Sequence, residues 1–129
     1  KEIGINIPIF IKISPDESND ALNSIIDIVK ESFLSGIVAT NTTINKANLV
    51  NQKFKSINGG LSGKHLMDSS TEKISYIKDK HKDISLIGVG GVMSKSDYLK
   101  KIEAGASLVQ IYTGFIIKGP KLINEILRD

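Results

Sequence analysis

The sequence predicts an α/β fold: four βα units with parallel strands, forming the C-terminal half of a (β/α)8 barrel. Apolar, β-rich runs alternate with amphipathic segments in the order β-α-β-α-β-α-β-α, which implies parallel strands joined by helical crossovers. The runs are continuously apolar, as in strands buried on both faces. The last two end in small or hydroxyl residues, Gly88-Val89-Gly90-Gly91 and Tyr112-Thr113-Gly114, which suit an anion. In β/α barrels the phosphate site follows strands seven and eight, so these two take those places. An open doubly wound sheet is the competing architecture, but no G-x-G-x-x-G follows the first strand. Four units alone would leave two exposed sheet edges.

The first strand is Ile7–Ile13, apolar except for Lys12 and closed by Ser14-Pro15-Asp16. From Ser18 to Leu34, apolar residues at three-to-four spacing, ending with Phe33, predict a helix that Gly36 stops. Ile37-Val38-Ala39 is the second strand and runs into Thr40-Asn41-Thr42-Thr43. The stretch from Ile44 to Asn58 has no period and reads as a long loop, closed by Gly59-Gly60-Leu61-Ser62-Gly63. Ser69 and Glu72 have capping-box spacing and predict a helix start there, with Ile74, Ile77 and Tyr76 inward. Ile84–Val89 is the third strand. Ser94 and Asp97 open a helix with Tyr98, Leu99 and Ile102 inward and Gly105 as its stop. Leu108–Tyr112 is the fourth strand. A last helix has Pro120 in its first turn and Leu122, Ile123, Ile126 and Leu127 inward.

The 129 residues fit one domain, and the net charge of +3 is mild. Lysines are spread over predicted helical outer faces, so they read as solvated and give no nucleic-acid stripe. The absence of cysteine excludes disulfides and thiolate chemistry. No apolar run reaches membrane-spanning length. The chain opens on Lys1-Glu2-Ile3 without an initiator Met, and the expectation is a fragment, residues 1–129, lacking the N-terminal half of the barrel.

Three strand ends project unusual polar groups: Lys12, Thr40-Asn41-Thr42, and Gly90-Gly91. A barrel opens all of them on one face. Lys12 either snorkels to the rim or holds a positive charge near a ligand that becomes anionic. Asn41 suits a planar heterocycle or a carboxylate, or merely forms a turn. The glycines read as positions where a ligand approaches the backbone. His65 and His81 match no metal-ligand spacing, so both read as surface residues and no metal is expected.

Six ordered motifs resemble the dihydroorotate dehydrogenase family: Phe10–Asp16, Ala39–Thr43, Gly59–Gly63, Ser70-Thr71-Glu72, Ile87–Gly91 and Ala104–Gly114. The Ser-Thr-Glu helix start, the Ala-Gly-Ala-Ser-Leu-Val-Gln block and Lys118-Gly119-Pro120 resemble its quinone-dependent, membrane-associated class. His65 and Ser14 depart from the family's usual proline and alanine.

The resemblance implies a barrel that binds FMN and oxidises dihydroorotate to orotate in pyrimidine biosynthesis, with a quinone reoxidising the flavin. It implies that Lys12 and Thr40 contact the flavin ring, and that Asn41 and Thr42 hold orotate. Gly63, Gly90, Gly91, Tyr112 and Thr113 would line the ribityl-phosphate site. The serine base and the quinone-tunnel helices belong to the missing N-terminal half, so this fragment is expected to be inactive. Membrane association, at the bacterial cytoplasmic membrane or the mitochondrial inner membrane, would come through that half. The other readings are the flavin barrel of a related pyrimidine dehydrogenase, and a phosphate-binding half barrel that self-associates without catalysis.

Overall fold

The computed structural model describes residues 7–47 and 49–128. The chain's start and position 48 of the expected loop lie outside these. Four parallel strands, β1 (Phe10–Ile13), β2 (Gly36–Ala39), β3 (Ser85–Val89) and β4 (Leu108–Gln110), stand in the order β1-β2-β3-β4. Each crossover adds the next strand beside the last, with no reversal of order. A doubly wound sheet reverses at a switch point, whereas a barrel wall does not. The sheet is therefore a sector of barrel wall.

Helices pack on one face of it. Residues in register across the sheet, such as Ile13 and Ala39, share that face. There Ile13, Ile37 and Leu86 meet Leu22 and Ile26 of α1 (Asn19–Glu31) and Ile74 and Ile77 of α3 (Met67–Lys80). A satellite cluster joins Val92 to Leu122 and Ile126 of α6 (Pro120–Leu127). The opposite row runs Lys12, Val38, Ile87, Leu108 in register. It meets no helix of the core cluster, and Leu108 at its end is 65% exposed. This is the face a closed barrel turns inward.

Several element bounds differ from expectation. The first strand starts at Phe10, because Pro8 has no N–H for a ladder and the Ile9 N–H donates to Ser35 Oγ at 3.1 Å. Helix α1 is capped by Ser18, whose hydroxyl accepts from the Ala21 N–H at 3.1 Å, but it ends at Glu31. Phe33 therefore lies past the helix and is 82% exposed. Gly36 begins β2 and stops no helix: a Cβ there would strike the Ser85 carbonyl and the Phe10 ring. The long loop contains a short helix, α2 (Gln52–Lys55), capped by Asn51.

Helix α3 starts at Met67, two residues before the expected Ser69, because a 3-10 turn over Lys64–Leu66 already winds the backbone into it. Ser69 sits inside the helix and its hydroxyl donates back to the Leu66 carbonyl at 3.4 Å, so no capping box forms. Helix α4 (Lys95–Glu103) does open as expected: Ser94 Oγ accepts from the Asp97 N–H, and Asp97 accepts from the Met93 N–H at 3.0 Å. Leu99 on it is exposed, not inward. The fourth strand stops at Gln110, and the segment after it splits at Gly119 into α5 (Thr113–Lys118) and α6. Leu127, expected inward, is exposed.

Candidate functional site at the strand ends

The C-terminal ends of the four strands surround a cavity of about 280 Å³. Every candidate site residue lines it: Lys12, Thr40, Asn41, Thr42, Gly63, Gly90, Gly91, Tyr112 and Thr113. Strand order sorts them. Lys12, Asn41 and Thr42 belong to the β1–β2 side, and Gly90, Gly91 and Thr113 to the β3–β4 side.

On the first side, sheet bonding continues past the strands: the Thr40 N–H donates to Val89 O at 2.9 Å and the Asn41 N–H to Ile13 O at 2.7 Å. Thr40 is held at 1% exposure, with its hydroxyl donating to the Asn41 carbonyl at 3.0 Å. Asn41 Oδ1 accepts from the Thr42 N–H at 3.0 Å, which leaves the side-chain NH2 free to donate outward. Lys12 is exposed on the bare sheet face. The desolvation cost expected of a lysine in a buried strand does not arise, because its side of β1 is uncovered.

These side chains hang on a clamped loop. Asp16 accepts from Thr43 Oγ1 at 2.5 Å and from the Ile44 N–H at 2.8 Å. An antiparallel bridge pairs Thr43 with Leu61 and closes the base of the loop between them.

On the second side, the turns offer amides. Among the described residues the N–H groups of Gly63 and Gly91 donate to no protein acceptor. Those of Thr113 and Gly114 precede the first intrahelical bond of α5, from Ile116 N–H to Tyr112 O at 3.0 Å. Thr113 Oγ1 donates to Ser62 Oγ at 3.1 Å, tying this turn to the Gly63 turn. Tyr112 is 78% exposed. A short extra helix after the last strand, here α5, accompanies phosphate sites in β/α barrels.

Two of the glycines in these turns are also required by packing. A Cβ on Gly91, whose φ is +81°, would sit 2.5 Å from the backbone N and Cα of Met67. The missing side chain lets the start of α3 close onto the turn. A Cβ on Gly114 would likewise strike the Val92 carbonyl.

Sequence reasoning missed three residues here. Gln110 and Met93 line the cavity without any local signal. Lys101, expected among solvated lysines, is 0% exposed. Its Nζ donates to Ser70 Oγ at 2.5 Å, Thr71 Oγ1 at 2.7 Å and Met67 O at 3.1 Å. Burial pushes its ammonium down from 10.5 to about 8, against the opposing pull of the Asp68 and Asp97 carboxylates. Its spacing on α4 resembles that of any outer-face lysine, and only the partner helix reveals its place.

Among the described residues no helix is long and apolar enough to cross a membrane. The sequence profile described as "Dihydroorotate dehydrogenase" matches residues 2–129. The dihydroorotate dehydrogenase (quinone) of Dichelobacter nodosus is 45% identical over 122 residues, covering 95% of this chain and 36% of that protein. That of Christiangramia forsetii is 49% identical over 120 residues, covering 92% and 35%. The crystal structure of the Eimeria tenella enzyme in complex with ferulenol aligns with a TM-score of 0.86 and 34% identity, covering 92% of this chain and 32% of that one. The chain thus spans about a third of the length of the curated relatives it matches. With a barrel-wall sheet, a strand-end cavity and this similarity along nearly its whole length, the chain belongs to the dihydroorotate dehydrogenase family.

Proposed function

We propose that the chain is the C-terminal, FMN-binding sector of a quinone-dependent dihydroorotate dehydrogenase, with the N-terminal half of the barrel closing the bare sheet face. One observation carries the reading: a single cavity has unpaired amides at its β3–β4 side and a lysine with a free amide donor at its β1–β2 side. A ligand with a phosphate at one end and a polar ring at the other fits that polarity.

FMN supplies, when bound, a two-electron acceptor for oxidation of dihydroorotate to orotate and a donor to a quinone. The amides of Gly63, Gly91 and Thr113 would hold the phosphate, with Gly90 and Tyr112 lining the same end of the cavity. Thr40, held buried at the cavity wall, would contact the flavin ring. The Lys12 ammonium opposes negative charge that develops on the ring. Asn41, through its free NH2, and Thr42, through its hydroxyl, orient orotate. Among the described residues no Asp, Glu or His lines the cavity. The family resemblance assigns proton removal from C5 to a serine of the N-terminal half, outside the described residues. Membrane association likewise belongs to that half. The isolated chain, with its bare face and open edges, self-associates and does not turn over.

The test is the full-length protein under anaerobic conditions. Dihydroorotate should bleach its flavin absorbance and a soluble quinone should restore it. A yellow protein that dihydroorotate fails to bleach would overturn the substrate assignment, and one that binds no flavin would overturn the cofactor site.

A further inference from the structure

The cluster around Lys101 has no part in the function proposed above, yet it lies directly behind the amide side of the cavity. Lys101 reaches from α4 into the first turn of α3 and satisfies its three donors on Ser70, Thr71 and Met67. All three acceptors are neutral, so the ammonium has no paired carboxylate among them.

The same α3 residues support the cavity wall. Ser70 Oγ lies 3.2 Å from the Gly90 carbonyl oxygen, and the Met67 backbone is what Gly91 closes against. Gly90 and Gly91 both line the cavity. The ammonium is therefore within about 6 Å of the Gly90 carbonyl, near enough for a buried charge to act on an anion bound in the cavity.

We propose that Lys101 is a positioning residue of the phosphate cradle: it holds the first turn of α3 against Gly90 and Gly91 and places a buried cation behind the amides. The inference rests on the FMN reading above. Its consequence is that affinity for the phosphate depends on the charge state of Lys101.

The groups that face Lys101 are few. Asp68 comes from α3 and Asp97 from α4. The strands β3 and β4 carry no titratable residue, and Lys64 and His65 of the 3-10 turn are exposed. Glu125 of α6 is engaged by the Lys95 N–H at 3.1 Å. The ammonium loses its proton as pH rises through about 8, and the cradle loses a positive charge with it.

The experiment compares FMN with riboflavin, which lacks the phosphate, on full-length apoprotein from pH 7 to pH 9, by quenching of flavin fluorescence. The FMN dissociation constant should rise on the order of tenfold across this range while that of riboflavin stays level. Lys101→Met should weaken FMN at pH 7 and abolish the step. Asp68→Asn, on an exposed position, should move the step to lower pH without needing the buried site to be rebuilt. Identical profiles for FMN and riboflavin in the unaltered protein, or a step that survives in Lys101→Met, would overturn the role of Lys101 alone. Failure of both flavins to bind at any pH would overturn the FMN reading, and the role of Lys101 with it.

Discussion

Thr43 Oγ1 donates to Asp16 Oδ1 at 2.5 Å, joining the turn after β1 to the end of β2. The other oxygen of the same carboxylate takes the Ile44 N–H at 2.8 Å. One side chain thus fixes where the Thr40-Asn41-Thr42 segment leaves the sheet and where the long loop begins. Removing it leaves a buried hydroxyl and an amide without their acceptor. Asp16→Ala should destabilise the full-length protein by about 1–3 kcal/mol. Urea unfolding measures the loss, and proteolysis should concentrate in the loop between Ile44 and Asn58.

Lys12 stands exposed at the cavity and among the described residues has no hydrogen-bond acceptor, so its charge is free to act on a ligand. Lys12→Ala should slow flavin reduction by dihydroorotate far more than it weakens FMN binding, since the charge matters most once the ring becomes anionic. Stopped-flow reduction and equilibrium titration separate the two effects. An unchanged reduction rate would remove the charge-stabilising role.

Gly91 supports a prediction about stability as well as binding. Any side chain there must displace the start of α3 and adopt a positive φ. Gly91→Val should cost about 2–4 kcal/mol from overpacking and backbone strain together. Thermal unfolding of the apoprotein should show the loss without any flavin present. If the variant unfolded like the unaltered protein and only FMN were lost, the packing role of Gly91 would be overturned.

The buried ammonium of Lys101 makes stability depend on pH with a definite sign. Its pKa is about 8 folded against 10.5 unfolded, so between those values the unfolded chain binds more protons. Stability therefore rises with pH through that window, by at most about 1.4 kcal/mol per pH unit, and the contribution is lost as pH falls through 8. The difference in unfolding free energy between the unaltered protein and Lys101→Met should change across pH 8 to 10.5 by this slope. A pH-independent difference would contradict the burial of a charged amine.

The alternation of strands and helices, the polar strand ends and the glycine-rich turns were legible in the chain itself. Each is written in spacings of two to four residues, and periodicity and turn chemistry act at that range. Ser18 and Ser94 cap the helices their positions suggest for the same reason. The family motifs likewise named residues that share one cavity. What neighbours in space decide was not legible. Ser69 and Glu72 satisfy a local capping pattern, yet the turn beginning at Gly63 starts the helix earlier. The packing role of Gly91 has no sign in the sequence until Met67 is seen against it. Lys101 has the sequence environment of a solvated lysine and is buried only because α3 brings Ser70 and Thr71 across from α4. Burial and hydrogen-bond partners belong to pairs of elements distant in sequence. The sequence by itself therefore determined the elements and the family; the packing of α3 against α4 and the β3 turn decided what each residue does there.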